Sequence, residues 1–330
     1  MGGRDASRFS VRLVLSVTAI ALIFSQVDGA SLAARFAAAD VPMLGGAFVA
    51  LMSSALAGGL VWASVFPLGH RLPPLEAVRL SLIGFTVNNV VPTGVGGDVY
   101  RAWAVAGRGF GWPLACYSVL MDRWCAFLVL LVGLAGSTAM LLPFLGWGSH
   151  GGRTLQGVVL MLGGGFAIAT VVMLLWRGRL PAVLGRGGDA AAPFLPEVLD
   201  RMRAHVRSPR VVVTLGWAVV SMALEGVSIA LTARALGAPA GFLTYAAAAP
   251  LFRVMHRVPG FVNAIGPQEM AAMAVWGSLG LGPDTTLPVS LALHGLRLGV
   301  GLLGVPLYIM GGALAVESGV RAEGGEGGAD

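Results

Sequence analysis

From Leu80 to Gly97 the chain reads Leu80-Ser-Leu-Ile-Gly-Phe-Thr-Val-Asn88-Asn-Val-Val-Pro92-Thr-Gly-Val-Gly-Gly97, eighteen residues without a charge. About 20 apolar residues suffice to cross a bilayer, yet Asn88, Asn89, Pro92, Gly94, Gly96 and Gly97 crowd its second half. Proline removes a backbone donor and glycine weakens a helix. Lipid-exposed backbone cannot be left unpaired, so such a break is tolerated only inside protein or beside a wet cavity. The spacing therefore predicts a re-entrant hairpin or a broken helix. A second stretch, 235–282, has the same character: mostly apolar, interrupted by Arg253, Arg257, Pro259, Gly260, Asn263, Gly266 and Pro267.

Composition places both segments in a membrane. Of 330 residues 56% are apolar and 12% charged, against about 25% charged in an ordinary soluble domain. Such a chain is neither a soluble globule nor disordered, since disordered chains are poor in apolar residues. The net charge of +6 comes entirely from arginine, with no lysine present. No basic block stands apart from the apolar runs, so a nucleic-acid partner is not expected. Cys116 and Cys125 lie nine apart on a predicted helix, on roughly opposite faces at ~100° per residue. Neither a disulfide nor a metal site is expected, and no cofactor.

Charge-poor runs at 13–27, 41–69, 124–149, 154–176, 211–233 and 287–316 predict six crossings. The first has a rival reading as a cleaved signal peptide behind Arg4, Arg8 and Arg12. The length of its apolar core, and Gln26 and Asp28 ahead of any cleavage site, favour a span. The expectation is an all-α polytopic protein with six spanning helices and two re-entrant or broken segments. Arg-rich loops then fall on one side if the two broken segments dip from opposite faces, which puts both termini in the cytoplasm. The domain plan is a single unit over 1–316, with halves 1–150 and 151–316 repeating one series in opposite orientation. A cytoplasmic linker covers 178–209 and a disordered tail 317–330. Inverted repeats with Gly/Pro-interrupted segments in matching places point to a transporter's midplane site. Within the linker, Val198, Leu199, Met202 and Val206 alternate with arginines, as in a helix lying on an anionic leaflet.

The first break offers an anion cradle: glycines that let N–H groups converge, Asp98 as cap of the next helix, and Arg101 and Arg108 on one face. The competing reading is a tight turn that needs glycine for packing, and the Lys-Ser/Thr of a nucleotide P-loop is missing. Asp122-Arg123, placed at the start of the 124–149 span, is either an interfacial ion pair or a partner of that loop. In the second break Arg253 and Arg257 stack four apart, and Glu269 follows Pro267 at a helix start. Glu225 and Arg297 lie mid-span in other helices. Intramembrane charges are costly and face the interior, so Glu225 has Arg297 or Arg253 as candidate partner, in a static pair or along a pathway. His294 reads as a packing residue.

These residues resemble a known family. Asn88-Asn-Val-Val-Pro-Thr-Gly-Val-Gly-Gly-Asp-Val-Tyr-Arg101 is similar to the signature of the lysylphosphatidylglycerol synthase transmembrane-region (flippase-like, UPF0104) proteins. Met121-Asp-Arg123 resembles their Leu-Asp-Arg motif, and Pro259 to Glu269 their Asn-Gly-Ile-Gly-x-Arg-Glu motif. Ala264, Pro267 and Gln268 depart from that last pattern, with Arg253 and Arg257 as substitutes for the missing arginine. The resemblance implies a domain of the bacterial cell membrane that moves modified or anionic phospholipids, or polyprenyl-linked lipids, between leaflets. It also implies a site drawn from Asn88, Asn89, Pro92, Gly94, Gly96, Gly97, Asp98, Arg101, Asp122, Arg123, Glu225, Arg253, Arg257, Asn263, Glu269 and Arg297. The best-known members continue into a soluble synthase domain, which is not expected here. The expected partners are membrane lipids and a lipid-biosynthesis enzyme. The alternatives are a non-catalytic companion of such an enzyme or a lipid-modifying enzyme.

Overall fold

The computed structural model describes residues 29–67, 69–90, 95–145, 150–175, 195–256 and 266–310. The predicted first span, Pro92, Gly94, Arg257, Asn263 and the tail 317–330 lie outside them. Every regular element described is helical. Four helices are long and apolar enough to cross a membrane: Val41–Val65, Trp112–Leu141, Arg210–Ala235 and Pro283–Met310. The predicted crossing at 154–176 is a helix over His150–Leu175 with a shorter apolar stretch, Val159–Val171.

Helix α1 (Gly29–Ala37) leads to α2 (Val41–Val65), whose start is fixed chemically. The Asp40 carboxylate accepts from the Met43 amide at 2.9 Å, and Pro42 occupies the first turn, where its missing N–H costs nothing. Next come α3 (Pro74–Val90) and α4 (Gly96–Val105), a tight turn over Ala106–Phe110, and the long α5 (Trp112–Leu145). Helix α6 (His150–Leu175) is followed by α7 (Leu195–Arg207) and α8 (Arg210–Ala235). The predicted second break consists of short helices α9 (Phe242–Ala246), α10 (Ala249–Met255) and α11 (Pro267–Gly277). Helix α12 begins at Pro283.

The most extensive contact joins α2 to α8. Asp40 N–H donates to Ala235 O at 2.9 Å and Ser228 Oγ to Ala47 O at 2.8 Å. Ser54 and Ser221 each donate to the other's carbonyl, at 2.7 and 3.0 Å. The contacts 40–235, 47–228 and 54–221 advance seven residues per step in opposite directions, so the helices run antiparallel. Apolar lipid gives helices no hydrophobic reason to associate. Small residues and cross-helix hydroxyls supply the adhesion.

Two apolar clusters flank this seam. One surrounds Trp62 and Tyr117, the other Trp276 and Tyr245. They interlock across the sequence midpoint: Met173, Val198 and Met202 join the first, Leu134 and Leu141 the second. Helix α7 turns the apolar face that its pattern lays on the leaflet into the protein: Val198 and Met202 join the first cluster with Leu199 and Val206 against it, and His205 is buried too.

Candidate functional site

The first break forms a helical hairpin. Asn88 on α3 accepts from the Gly97 amide at 2.8 Å, tying together the two ends of the interruption. Gly84 and Gly97 let α3 and α4 touch backbone to backbone: a Cβ on Gly97 would lie 2.1 Å from Gly84 O. Asn89, beyond them, donates to Arg297 O at 3.4 Å, and Thr86 Oγ1 donates to Gly301 O at 2.5 Å. The first hairpin thus leans on the last helix.

Asp98 is not the cap that the sequence predicts. Helix α4 starts at Gly96 with Val95 before it, and no side chain caps it. Asp98 stands in the first turn, where the helix dipole already favours a carboxylate, and two guanidiniums claim its oxygens. Arg123 Nε donates to Oδ2 at 2.7 Å, a second Arg123 nitrogen reaches Oδ1, and Arg101 Nη2 donates to Oδ1 at 2.8 Å. Arg101 also donates to Asp122 at 2.9 Å, and its guanidinium carbon lies 4.8 Å from the centre of the Trp62 ring. Two carboxylates and two arginines from α4 and α5 form one network walled by α2. Asp122 and Arg123 are about three turns inside α5, which begins at Trp112, instead of at a helix start. Neutralised by partners from α4, they need no interfacial position. Arg108 belongs elsewhere. The helix passes into a π-helical turn over Ala106–Phe110 and stops being helical at Gly109, φ 84°; two turns beyond Arg101, Arg108 donates to Glu76 at 2.5 Å and to Ala104 O at 2.6 Å. It shares no anion site with Arg101.

The second cluster lies between α8, α10 and α12. Glu225 is 3% exposed and is held by both candidate partners, Arg253 from α10 and Arg297 from α12. Arg253 Nη2 reaches Ser221 Oγ at 3.0 Å and Ser54 Oγ at 3.3 Å, so the α2–α8 seam leads directly to the ions. Next to it, Glu269 occupies the first turn of α11. It accepts from the Gly266 amide at 2.7 Å, Ser290 Oγ at 2.9 Å and His294 Nε2 at 2.7 Å.

Arg253 therefore does not stand in for the arginine missing at 268. Its guanidinium is committed to Glu225, while the neighbour of Glu269 is His294. Gln268 donates to Ser290 Oγ at 2.9 Å instead. The pattern of charges also left Ser54, Ser221, Ser290 and His256 unnoticed: isolated serines in apolar helices give no signal until a seam brings them together. Glu76 had one legible sign, its three-residue spacing from Arg79.

Asp98 and Arg101 of the first motif thus close in space on Asp122 and Arg123 of the second. Residues 9–304 match the family model described as Lysylphosphatidylglycerol synthase TM region. The chain belongs to that family. As a member of the lysylphosphatidylglycerol synthase transmembrane-region family it is an integral membrane protein related to lipid metabolism. No protein of curated function matches it. Among the described residues no group of three His, Cys, Asp or Glu side chains is arranged to hold a metal.

Proposed function

We propose that the protein moves an anionic or modified phospholipid, or a polyprenyl-linked lipid, between membrane leaflets without chemical change to it. The observation that carries this reading is Glu225 held between Arg253 and Arg297, where the broken second segment meets the last helix. Burying three charges costs several kcal/mol per ion before pairing offsets it, and intramembrane charges are characteristically found on substrate pathways. A phosphodiester can take the place of Glu225 on either guanidinium, since both bind oxyanions through paired donors. The headgroup then passes from one arginine to the next while its acyl chains stay in lipid. The second cluster of charges, Asp98, Arg101, Asp122 and Arg123, serves the opposite face.

The architecture behind the proposal is an inverted repeat of six crossings with both termini in the cytoplasm. It is supported by the reciprocal Ser54–Ser221 pair, which a two-fold axis in the membrane plane generates, and by the match in helix order. Helices α2, α3–α4 and α5 correspond to α8, α9–α11 and α12.

Vesicles carrying the purified chain and fluorescent phosphatidylglycerol test the reading. Exchange of the label between leaflets, lost in R253Q while the variant stays monodisperse, is the expected result. Chemically altered lipid indicates an enzyme. Intact lipid that never exchanges indicates a companion of a biosynthetic enzyme, and either result ends the translocator proposal.

A further inference from the structure

The pair Glu269–His294 differs from every other ion pair in the protein in having a titratable base. Glu269 accepts hydrogen bonds on both oxygens: Ser290 Oγ and His294 Nε2 on one, the Gly266 amide on the other. A carboxylate so placed requires the proton of His294 on Nε2, since an ionised carboxylate only accepts. That leaves Nδ1 as a bare lone pair, and this atom is buried with no hydrogen-bond partner. His256 repeats the arrangement on α10. Its Nδ1 lies 2.7 Å from Phe252 O, a carbonyl, so Nδ1 carries the proton and Nε2 is the lone pair, again buried and unpartnered. The ring centres are 6.3 Å apart. Two imidazoles, each with its donor committed and its acceptor free, stand side by side.

We infer that His294, with the His256 ring beside it, forms a proton-loading site that couples headgroup passage to proton movement. The inference rests on the translocator reading and names its coupling ion. Among the described residues, the charged groups facing the site are Glu269 from α11, Arg253 from α10, Arg297 on the same helix as His294, and Glu225 from α8. Helix α2 brings no ionisable residue, α3 meets α12 through Thr86 and Asn89, and Arg35 of α1 contacts the distant Thr285. Two guanidiniums thus face two carboxylates, and the described cluster is neutral while both imidazoles are neutral. A hydronium ion on one side transfers its proton to His294 Nδ1, giving imidazolium and water. The cluster then carries one excess positive charge, which favours a lipid phosphate beside Arg297. Transfer of the same proton to water on the other side restores the neutral imidazole and weakens the hold on the anion. Proton and phosphate travel in the same direction.

Two measurements on the full chain decide it. The first is nitrogen-15 NMR of the imidazoles in lipid nanodiscs, with His294 assigned by its loss in H294Q. That substitution keeps a donor toward Glu269 and cannot take up a proton. The expected result is a change from neutral to charged within about pH 5 to 8, the range in which histidine is poised to titrate. An imidazole that stays neutral throughout overturns the proposal. The second uses phosphatidylcholine vesicles with fluorescent phosphatidylglycerol and an imposed pH gradient. At one proton per lipid a gradient of one unit sustains up to about tenfold leaflet asymmetry, which H294Q abolishes. An asymmetry indifferent to the gradient, or one that persists in H294Q, overturns the coupling. If no preparation exchanges lipid at all, the translocator reading fails, and the NMR titration alone decides the proton site.

Discussion

Both halves of the molecule place a carboxylate in the first turn of a helix that follows a glycine-containing break. Both tie it to a cation 25 residues further along: Asp98 to Arg123, Glu269 to His294. The similarity ends at the chemistry. Arg123 is permanently charged, its side chain is 35% exposed and it shares Asp98 with Arg101. His294 is an imidazole, and the side chain of its partner Glu269 is 1% exposed. On the proposed repeat one half-site is held by a guanidinium and the other by an imidazole. That is what alternating access needs if one face binds and the other releases.

The largest expected effect is at the centre of the second half. Glu225→Ala leaves two guanidiniums buried without their counter-charge and should cost about 3–5 kcal/mol, read as loss of the folded fraction in detergent under denaturant. Replacing Glu225, Arg253 and Arg297 together by methionine or leucine should restore stability, because an apolar triad of similar volume is neutral or better. Exchange of labelled lipid should stay lost. A triad variant that moves lipid at the wild-type rate would reduce these ions to scaffolding.

Next in size is the close approach that shapes the first half. Gly97→Ala drives a Cβ against the Gly84 carbonyl, 2.1 Å away, an obstacle that no rotamer change removes. A destabilisation of roughly 1–3 kcal/mol is expected. A milder squeeze joins α8 to α9, where a Cβ on Gly226 would lie 3.1 Å from Ala246 O. Gly226→Ala should cost less than Gly97→Ala, and Gly295→Ala, which meets nothing within 4 Å, should be neutral. Thermal melts of the three variants in one detergent rank them; a reversed order means that these helices are not packed as the geometry requires.

How far the sequence foretold this depends on the kind of interaction. The breaks at 80–97 and 235–282 were legible because glycine and proline in an apolar run speak through local backbone chemistry. The pairing of Glu225 with Arg253 and Arg297 was legible because an isolated intramembrane charge must find an opposite one. The seam of Ser54 and Ser221 was not, since hydroxyls in a helix can satisfy themselves locally and carry no obligation to a partner. Nor was the division between Arg101 and Arg108. Their seven-residue spacing promises one face but says nothing of partners, and two turns apart Arg101 meets Asp98 and Asp122 while Arg108 meets Glu76. The start of α5 was placed at Trp124 because Asp122 and Arg123 looked like a membrane boundary, an inference that fails once tertiary partners neutralise them.

A smaller change sharpens the contrast between the two cations. Arg123 grips Asp98 through two nitrogens, a geometry that lysine cannot reproduce. Arg123→Lys keeps the charge and loses the fork, so a cost of about 1 kcal/mol is expected, with no new pH dependence of melting between about pH 5 and 8. Arg123→His should introduce that dependence, turning the guanidinium half-site into one like Glu269–His294.

The smallest effect belongs to a histidine with the opposite electrostatics. His205 on α7 is buried, with Nε2 3.1 Å from Thr214 Oγ1, and burial together with nearby Arg210 lowers its pKa from 6.5 to about 4. No carboxylate welcomes its proton, in contrast to His294. The folded state therefore binds this proton less readily than the unfolded chain does. Stability is complete above pH 6.5 and is lost as the pH falls toward 4, because the unfolded state takes up the proton first. Over the first pH unit below 6.5 the melting temperature of the wild-type protein should fall by a few degrees relative to His205→Gln, a difference on the order of 1 kcal/mol. Parallel melting curves for the two proteins would mean that α7 carries no proton-linked strain.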